Sequence, residues 1–350
     1  MRLELNREYP ELDDPEVFNR MVELTMGQME PVEGRLRRAQ HAKATGCVTA
    51  SFRIADNLPA ALRHGVFAEP GRVFSAIVRF SNSQGTFEKD SVGTARGLAI
   101  KLSEVSGARA LPGDGDATQD FLMVDHPVFP FGDPKAYVET ISRKNIPLVG
   151  NLVAAAHLAL LEPKEWKILK EIRGKSVASP LDITYWSGSP FWLGPPTGLE
   201  GHAVKYSAVP RLTNRGVTPP AGGDPPDDAL TQALGAGLKS AEAVFDFTVQ
   251  MQTDAEKMPV EDVSVNWDEA VSVPVRVATL TIPAQPVDPF GALAAQCESI
   301  SFNPWHALAE HRPMGGMNRL RRLVYAASIQ KRGGASAPLS TPARGTSPAG

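Results

Sequence analysis

The nine residues VFSAIVRFS, Val73 to Ser81, carry the reading on which the fold turns. They are rich in β-branched and aromatic residues, bounded by Gly and Asn, and too short for an amphipathic helix, so they predict a strand. Arg79 ends its β-branched part beside Phe80 and Ser81. Working outward, CVTASFRIA (Cys47 to Ala55) precedes it, and ARGLAIKL (Ala95 to Leu102) and DFLMVD (Asp120 to Asp125) follow. Gly, Asn, Ser and Asp separate these segments. Four strands with no long helix between them predict antiparallel sheet. HAVKYSAVP (His202 to Pro210), AVFDFTVQMQT (Ala243 to Thr253) and VRVATLTIP (Val275 to Pro283) raise the total to about seven. Seven or eight strands suffice for a closed or nearly closed antiparallel barrel, so the fold class expected is α+β, a barrel with a helical region.

That region starts at Asp133, where DPKAYVETISRK sets Pro134 at the first helical position, and continues through PLVGNLVAAAHLALLE and PKEWKILKEIRG. His157, among Ala and Leu in the middle helix, reads as a core or half-buried residue. From Pro15 to about Gln40, apolar residues at three and four spacings predict helix interrupted at Pro31, an N-terminal helical arm over residues 1–40. Residues 41–332 form the body. The tail, residues 333–350, is small, polar and proline-rich and predicts disorder. TNRGVTPPAGGDPPDD, Thr213 to Asp228, reads as a surface loop.

Composition narrows the function. The 350 residues are 42% hydrophobic and 21% charged with a formal net charge of −3, which suits a globular protein and lacks the basic clusters that nucleic acid demands. A small molecule is the partner expected. Cys47 and Cys297 are too few for a disulfide framework, which fits a reducing compartment. The start lacks an apolar signal region and no run approaches 18 apolar residues, so a cytoplasmic protein with no integral membrane segment is expected. Neither a GxGxxG opening a helix, a P-loop, HExxH, CxxC nor GxSxG occurs.

Near the C-terminus, NRLRRLVYAASIQKR (Asn318 to Arg332) places Asn318, Arg321, Tyr325 and Arg332 in one helical stripe. An arginine one turn before a tyrosine favours phenolate, and phenolate oxygen ligates ferric haem. The same spacing also suits a packing pair. Arg38, three residues before His41, together with Arg79 and Arg332, supplies guanidinium groups suited to carboxylates.

Together these segments resemble haem catalases, in order along the chain. His41-Ala-Lys resembles the distal-histidine segment, and Val78 to Ser81 with Ala-Arg-Gly-Leu-Ala-Ile-Lys resembles the next strand pair. Pro-Val-Phe-Pro-Phe-Gly-Asp-Pro resembles the run that ends at Asp-Pro, and Arg-Arg-Leu-Val-Tyr the proximal helix. Phe302 to Trp305 and His311 to Arg319 bring the chain nearest the smaller catalase-related haem proteins. The resemblance implies a catalase-like haem fold binding haem b iron, with Tyr325 as metal ligand and Arg321 holding it ionised. Arg38, Arg79 and Arg332 would bind propionates, His41 would be the distal acid/base, and Ser81 would hydrogen-bond its other ring nitrogen. Asp125 stands where catalases place an asparagine facing the peroxide, and Gln40 precedes the histidine where they usually have an apolar residue. The activity implied is heterolytic cleavage of hydrogen peroxide or an organic hydroperoxide at a Tyr-ligated ferric haem. A rearranging enzyme acting on fatty-acid hydroperoxides, resembling allene oxide synthases, and a non-catalytic haem-binding barrel are the alternatives. A homo-oligomer is left open, and the catalase tetramer is not carried over because nothing foldable follows Arg332.

Overall fold

The computed structural model describes residues 2–29, 31–32, 34–114, 117–146, 149–197, 200–214 and 226–333. The tail expected to be disordered, from residue 334 on, lies outside them, as does most of the loop from Thr213 to Asp228. Nine strands form the main sheet: β1 Ala44–Ile54, β2 Val73–Asn82, β3 Arg96–Leu102, β4 Gln119–Val124, β5 Tyr185–Trp186, β6 Phe191–Leu193, β7 His202–Pro210, β8 Ala243–Met251 and β9 Val275–Ile282. Each strand pairs antiparallel with the next in the order β8-β9-β1-β2-β3-β4-β5-β7, and β7 pairs back onto β8. The sheet is therefore a closed eight-stranded barrel, with β6 sharing the β7 edge next to β5. Closure leaves no long unpaired edge. The strands missed in the sequence are β5 and β6, which are two and three residues long and so show no periodicity.

Inside the barrel, alternate residues meet. Phe121 lies 4.8 Å from Phe247 and 5.1 Å from Tyr206, ring centre to ring centre, with Phe52 and Phe67 packed against the same group. Burying each such ring contributes roughly 1.5–3 kcal/mol. This aromatic fill makes the barrel a packed core rather than a ligand cavity. His311 belongs to it: Nε2 accepts from the Val66 N–H at 3.0 Å, and Nδ1 shares a 2.9 Å hydrogen bond with the Tyr206 hydroxyl. Both ring nitrogens are satisfied, and burial holds the imidazole neutral with its pKa lowered to about 3.

The described helices are α1 Pro15–Gly27, α2 Pro134–Lys144, α3 Gly150–Leu161, α4 Pro163–Arg173, α5 Ala229–Leu238, whose Leu234 and Leu238 join the barrel core, α6 Ala292–Ser299 and α7 Gly316–Lys331. Asp133 caps α2 by accepting the Ala136 N–H at 2.9 Å, with Pro134 inside the first turn. The N-terminal helix stops at Gly27, short of the expected Gln40. Pro31, which has no N–H to continue a helix, instead starts a two-residue strand paired with Arg35–Leu36. Phe18, Met21 and Leu24 of α1 pack against Met317, Leu320 and Val324 of α7, so the arm is part of the helical layer. Cys47 of β1 and Cys297 of α6 are joined by a disulfide across 250 residues. Two cysteines too few for a framework thus form one bridge, and cysteine usage no longer argues for a reducing compartment.

Candidate functional site

A cavity of about 870 Å³ lies between the outer face of β2–β4 and the helices. Strand alternation explains its barrel-side wall. Phe80, Leu98 and Met123 belong to the barrel core, so their neighbours in sequence point outward. The register aligns those neighbours in rows: Arg79 opposite Ala99, which is opposite Leu122, then Ser81 opposite Gly97, which is opposite Val124. All six line the cavity. Helix α7 supplies the other wall, contributing Arg321, Tyr325 and Ser328.

His41 stands at the entrance to β1, over the second row. Its backbone is left-handed, with φ of 55°, a conformation that costs a non-glycine residue about 1–3 kcal/mol and persists only when surroundings dictate it. They do so here. The His41 N–H donates to the Ser83 carbonyl at 3.1 Å, the Ala42 N–H to Gln84 at 2.9 Å, and Arg79 Nη2 donates to the His41 carbonyl at 2.9 Å. Ser81 Oγ lies 2.9 Å from His41 Nδ1. Opposite Ser81, Gly97 provides the space: a Cβ there would stand 2.5 Å from His41 Nδ1 and 2.7 Å from Ser81 Oγ. Burial, reinforced by the positive charges of Arg79, Arg321 and Arg38, lowers the His41 pKa to about 3, so the ring is neutral at physiological pH.

Beside it sits a cluster of guanidinium groups. Arg38, Arg79 and Arg332 all line the cavity. Glu298, at the end of α6, lies 2.9 Å from Arg38, 3.2 Å from Arg79 and 3.5 Å from Arg37. Burial would raise the Glu298 pKa, but the Arg79 and Arg38 charges outweigh it and hold the carboxyl below its ordinary range. One carboxylate does not balance the cluster. Burial and neighbouring Arg38 lower Arg79 to about 9 and Arg332 to about 10, and the Nε atoms of both are buried without a hydrogen-bond partner. Glu298 went unnoticed in the sequence because an acid in Gln-Cys-Glu-Ser has no spacing signal. Only the fold brings it to arginines some 220 to 260 residues away.

On the helical side, Arg321 Nη2 donates to the Tyr325 hydroxyl oxygen at 3.4 Å, and its guanidinium carbon stands 5.4 Å from the ring centre. Arg321 is held in turn: Nη1 donates to Asn318 Oδ1 at 3.0 Å and to Ser189 Oγ at 3.3 Å. Asn318 is anchored by donating to the carbonyls of Pro190 and Met314, while Trp305 Nε1 donates to the Asn318 carbonyl. The Phe302–Trp305 segment thus braces the helix that carries the tyrosine.

Seven of the eight sequence-predicted residues therefore surround one cavity: His41, Ser81, Arg38, Arg79, Arg321, Arg332 and Tyr325. Asp125 is not among its lining residues. Its Oδ1 accepts the Arg96 N–H at 2.7 Å, which turns the side chain back onto β3, and Lys175 Nζ stands 3.8 Å from Oδ2. Burial raises the Asp125 pKa against the opposing pull of that N–H and of Lys175. The adjacent His126 lines the cavity in its stead. Gln40 lines it too, and His157 is half-buried on α3 away from it. Among the described residues no cluster of His, Cys, Asp or Glu has the make-up of a metal site.

No family model matches the sequence. The chain is 28% identical over 309 residues to a catalase-related peroxidase of Mycolicibacterium paratuberculosis, covering 85% of this chain and 89% of that protein. Among solved structures it resembles catalase A from Saccharomyces cerevisiae, with a TM-score of 0.66 and 18% identity over 95% of this chain and 68% of that one. A fungal catalase gives a TM-score of 0.63 at 18% identity over 93% of this chain, and a bacterial catalase 0.63 at 16% over 92%. The chain spans 64% and 60% of the lengths of those two catalases.

Proposed function

Because this chain has a catalase-like fold, we propose that it is a haem-dependent oxidoreductase that metabolises peroxides, with haem b in the cavity and Tyr325 as the iron's protein ligand. The observation that carries the reading is the convergence of His41, Tyr325, the buried Arg79 and the half-buried Arg38 and Arg332 on one cavity. The residues fit the group. Arg79 and Arg332 each keep a buried Nε without a partner, and the cluster carries more positive charge than Glu298 neutralises, which suits the two propionates. Bound there, haem would supply a redox-active iron able to polarise a peroxide.

The chain's own groups divide the remaining work. Arg321 donates to the phenol oxygen of Tyr325 and so orients the atom that would ligate the iron. Arg38, Arg79 and Arg332 orient the cofactor by its carboxylates. His41 is neutral, and in the tautomer whose Nδ1–H is donated to Ser81 Oγ it offers a lone pair at Nε2. That nitrogen could take the proton of a hydroperoxide and return it to the departing oxygen, while the two electrons that the cleavage consumes would come from the haem when bound. Asp125 acts on this site only at a distance, through the β3 backbone that it holds at Arg96.

The test is an absorbance spectrum and peroxide turnover of haem-loaded protein. Charge-transfer bands of Tyr-ligated ferric haem are expected, and His41→Ala should slow turnover by about 10²–10⁴-fold while leaving the bands in place. An unchanged rate would leave only a haem carrier or an unassigned base. A second reading, rearrangement of fatty-acid hydroperoxides, is favoured by the cavity's extension along apolar residues of α3 and α4, including Ala154, Leu158 and Leu169. Product analysis with a lipid hydroperoxide separates the two: an alcohol and an oxidised donor, or a dehydrated epoxide with water released and no donor consumed.

A further inference from the structure

Helix α3 has the sequence GNLVAAAHLALL and carries no charged residue. Its inner side, Ala154 and Leu158, is buried and lines the cavity. Its outer side is equally apolar and faces water. Val149, at the helix's N-cap, and Leu152, Val153, Ala156 and Leu160 recur at i, i+3, i+4, i+7 and i+11, one stripe along the helix. Leu152 is 72% exposed and Leu160 79%, with Leu161 at 65% beside them. An exposed apolar stripe with helical period marks a surface that something covers. Segments 215–225 and 334–350 hold only Val217 and Leu339 as large aliphatics, too few to cover it from within the chain.

Charge identifies the occupant. From Arg143 to Lys175 the chain has seven Lys/Arg against three Glu, a local excess of positive charge in a protein whose net charge is −3. Lys144, Lys164, Lys167, Lys170 and Arg173, on the flanking helices α2 and α4, are exposed. A second copy docking by twofold symmetry would set this basic rim against itself, which is unfavourable. An anionic lipid surface complements both features, accepting the aliphatic stripe among its acyl chains and the lysines at its headgroups. With 12 residues α3 is too short to cross a bilayer and would lie along the interface. Lys144, Asn151 and Arg173 are exposed and also line the cavity, so the cavity opens beside the stripe.

We propose that the outer face of α3, with the basic residues of α2 and α4 around it, docks the protein on anionic phospholipid surfaces with the cavity mouth against the lipid. The proposal rests on the helical layer and is independent of the haem reading. Flotation of the full chain with phosphatidylcholine vesicles containing phosphatidylglycerol should recover bound protein, and vesicles of phosphatidylcholine alone or added salt should release it. Leu152→Ser with Leu160→Ser should weaken binding by about tenfold or more, and Lys170→Glu should weaken it through charge alone. Both leucines are exposed, so the double variant should keep its thermal midpoint and its turnover of a water-soluble hydroperoxide. Absence of binding to anionic vesicles, or binding unaltered by both sets of substitutions, overturns the proposal. So does a wild-type dimer in sedimentation equilibrium that the double variant dissolves, which would assign the stripe to a second copy.

Discussion

The barrel-side wall of the cavity and its helical wall are built in opposite ways. On the helical side, Arg321 and Tyr325 meet because they are one turn apart on α7, and their geometry follows from the helix itself. On the barrel side, His41, Ser81 and Gly97 meet only because β1, β2 and β3 pair in one register. The first arrangement is local and tolerant of small shifts. The second holds a histidine at a φ of 55° by two backbone hydrogen bonds, one from the Arg79 side chain and a missing Cβ, so its precision depends on strand pairing across more than fifty residues. Function on the helical side should therefore fail by loss of a single atom, and on the barrel side by displacement.

Two substitutions test that contrast. Tyr325→Phe removes one oxygen and leaves α7 intact, because among the described residues the hydroxyl's hydrogen bond is to Arg321. The expected result is loss of the Tyr-ligated charge-transfer bands and of peroxide turnover by about 10³-fold or more, with an unaltered circular dichroism spectrum. Bands that survive in Tyr325→Phe would remove the tyrosine from the metal. Gly97→Ala deletes nothing and adds one methyl, at 2.5 Å from His41 Nδ1. The ring must move, and a shift near 1 Å should slow turnover by about 10²-fold while the haem bands persist. Full activity in Gly97→Ala would mean that the imidazole's position is unimportant.

The same contrast explains what the sequence could tell. Longer strands were legible because each has at least six residues of pattern, and β7 matches its expected range, His202 to Pro210. The Arg321–Tyr325 pair was legible because helical spacing alone brings it together. His41 and Ser81 were identified through resemblance to a family, since no periodicity in the chain predicts that they touch. Asp125 shows the limit of that route: its place in the segment is as expected, but the Arg96 N–H draws the carboxylate away from the cavity. Glu298 and the Cys47–Cys297 bridge were invisible for a plainer reason. Both are contacts across more than two hundred residues between groups that carry no motif.

Glu298 sharpens the comparison on the side of energetics. In the cofactor-free protein it is the carboxylate facing Arg37, Arg38 and Arg79, so Glu298→Ala should leave buried guanidinium charge uncompensated and cost about 2 kcal/mol in denaturant unfolding, reduced from the full buried-pair value because Glu298 is partly exposed. Haem propionates would supply carboxylates to the same cluster. The loss should therefore shrink in haem-loaded protein. An equal loss with and without haem would mean that Arg38 and Arg79 are not the groups that hold the propionates.

The smallest effect expected is an absence of one. An exposed histidine has a pKa near 6.5, and a base with that value would be about 3% neutral at pH 5, so turnover would fall about thirtyfold from its plateau. Burial and the charges of Arg79, Arg321 and Arg38 lower His41 to about 3. A depressed value means that the base form persists as pH falls and is lost only near that lower pKa. Turnover by haem-loaded protein should accordingly change by less than about twofold between pH 7 and pH 5. Stability should move the other way over the same range. The unfolded chain takes up protons at His41 and His311 once pH drops below about 6.5 while the folded chain does not, so the thermal midpoint should decline steadily toward pH 4. A rate that fell with a midpoint near 6.5 would show that His41 is solvated in the working enzyme, and the barrel-side wall would then be no more rigid than the helix it faces.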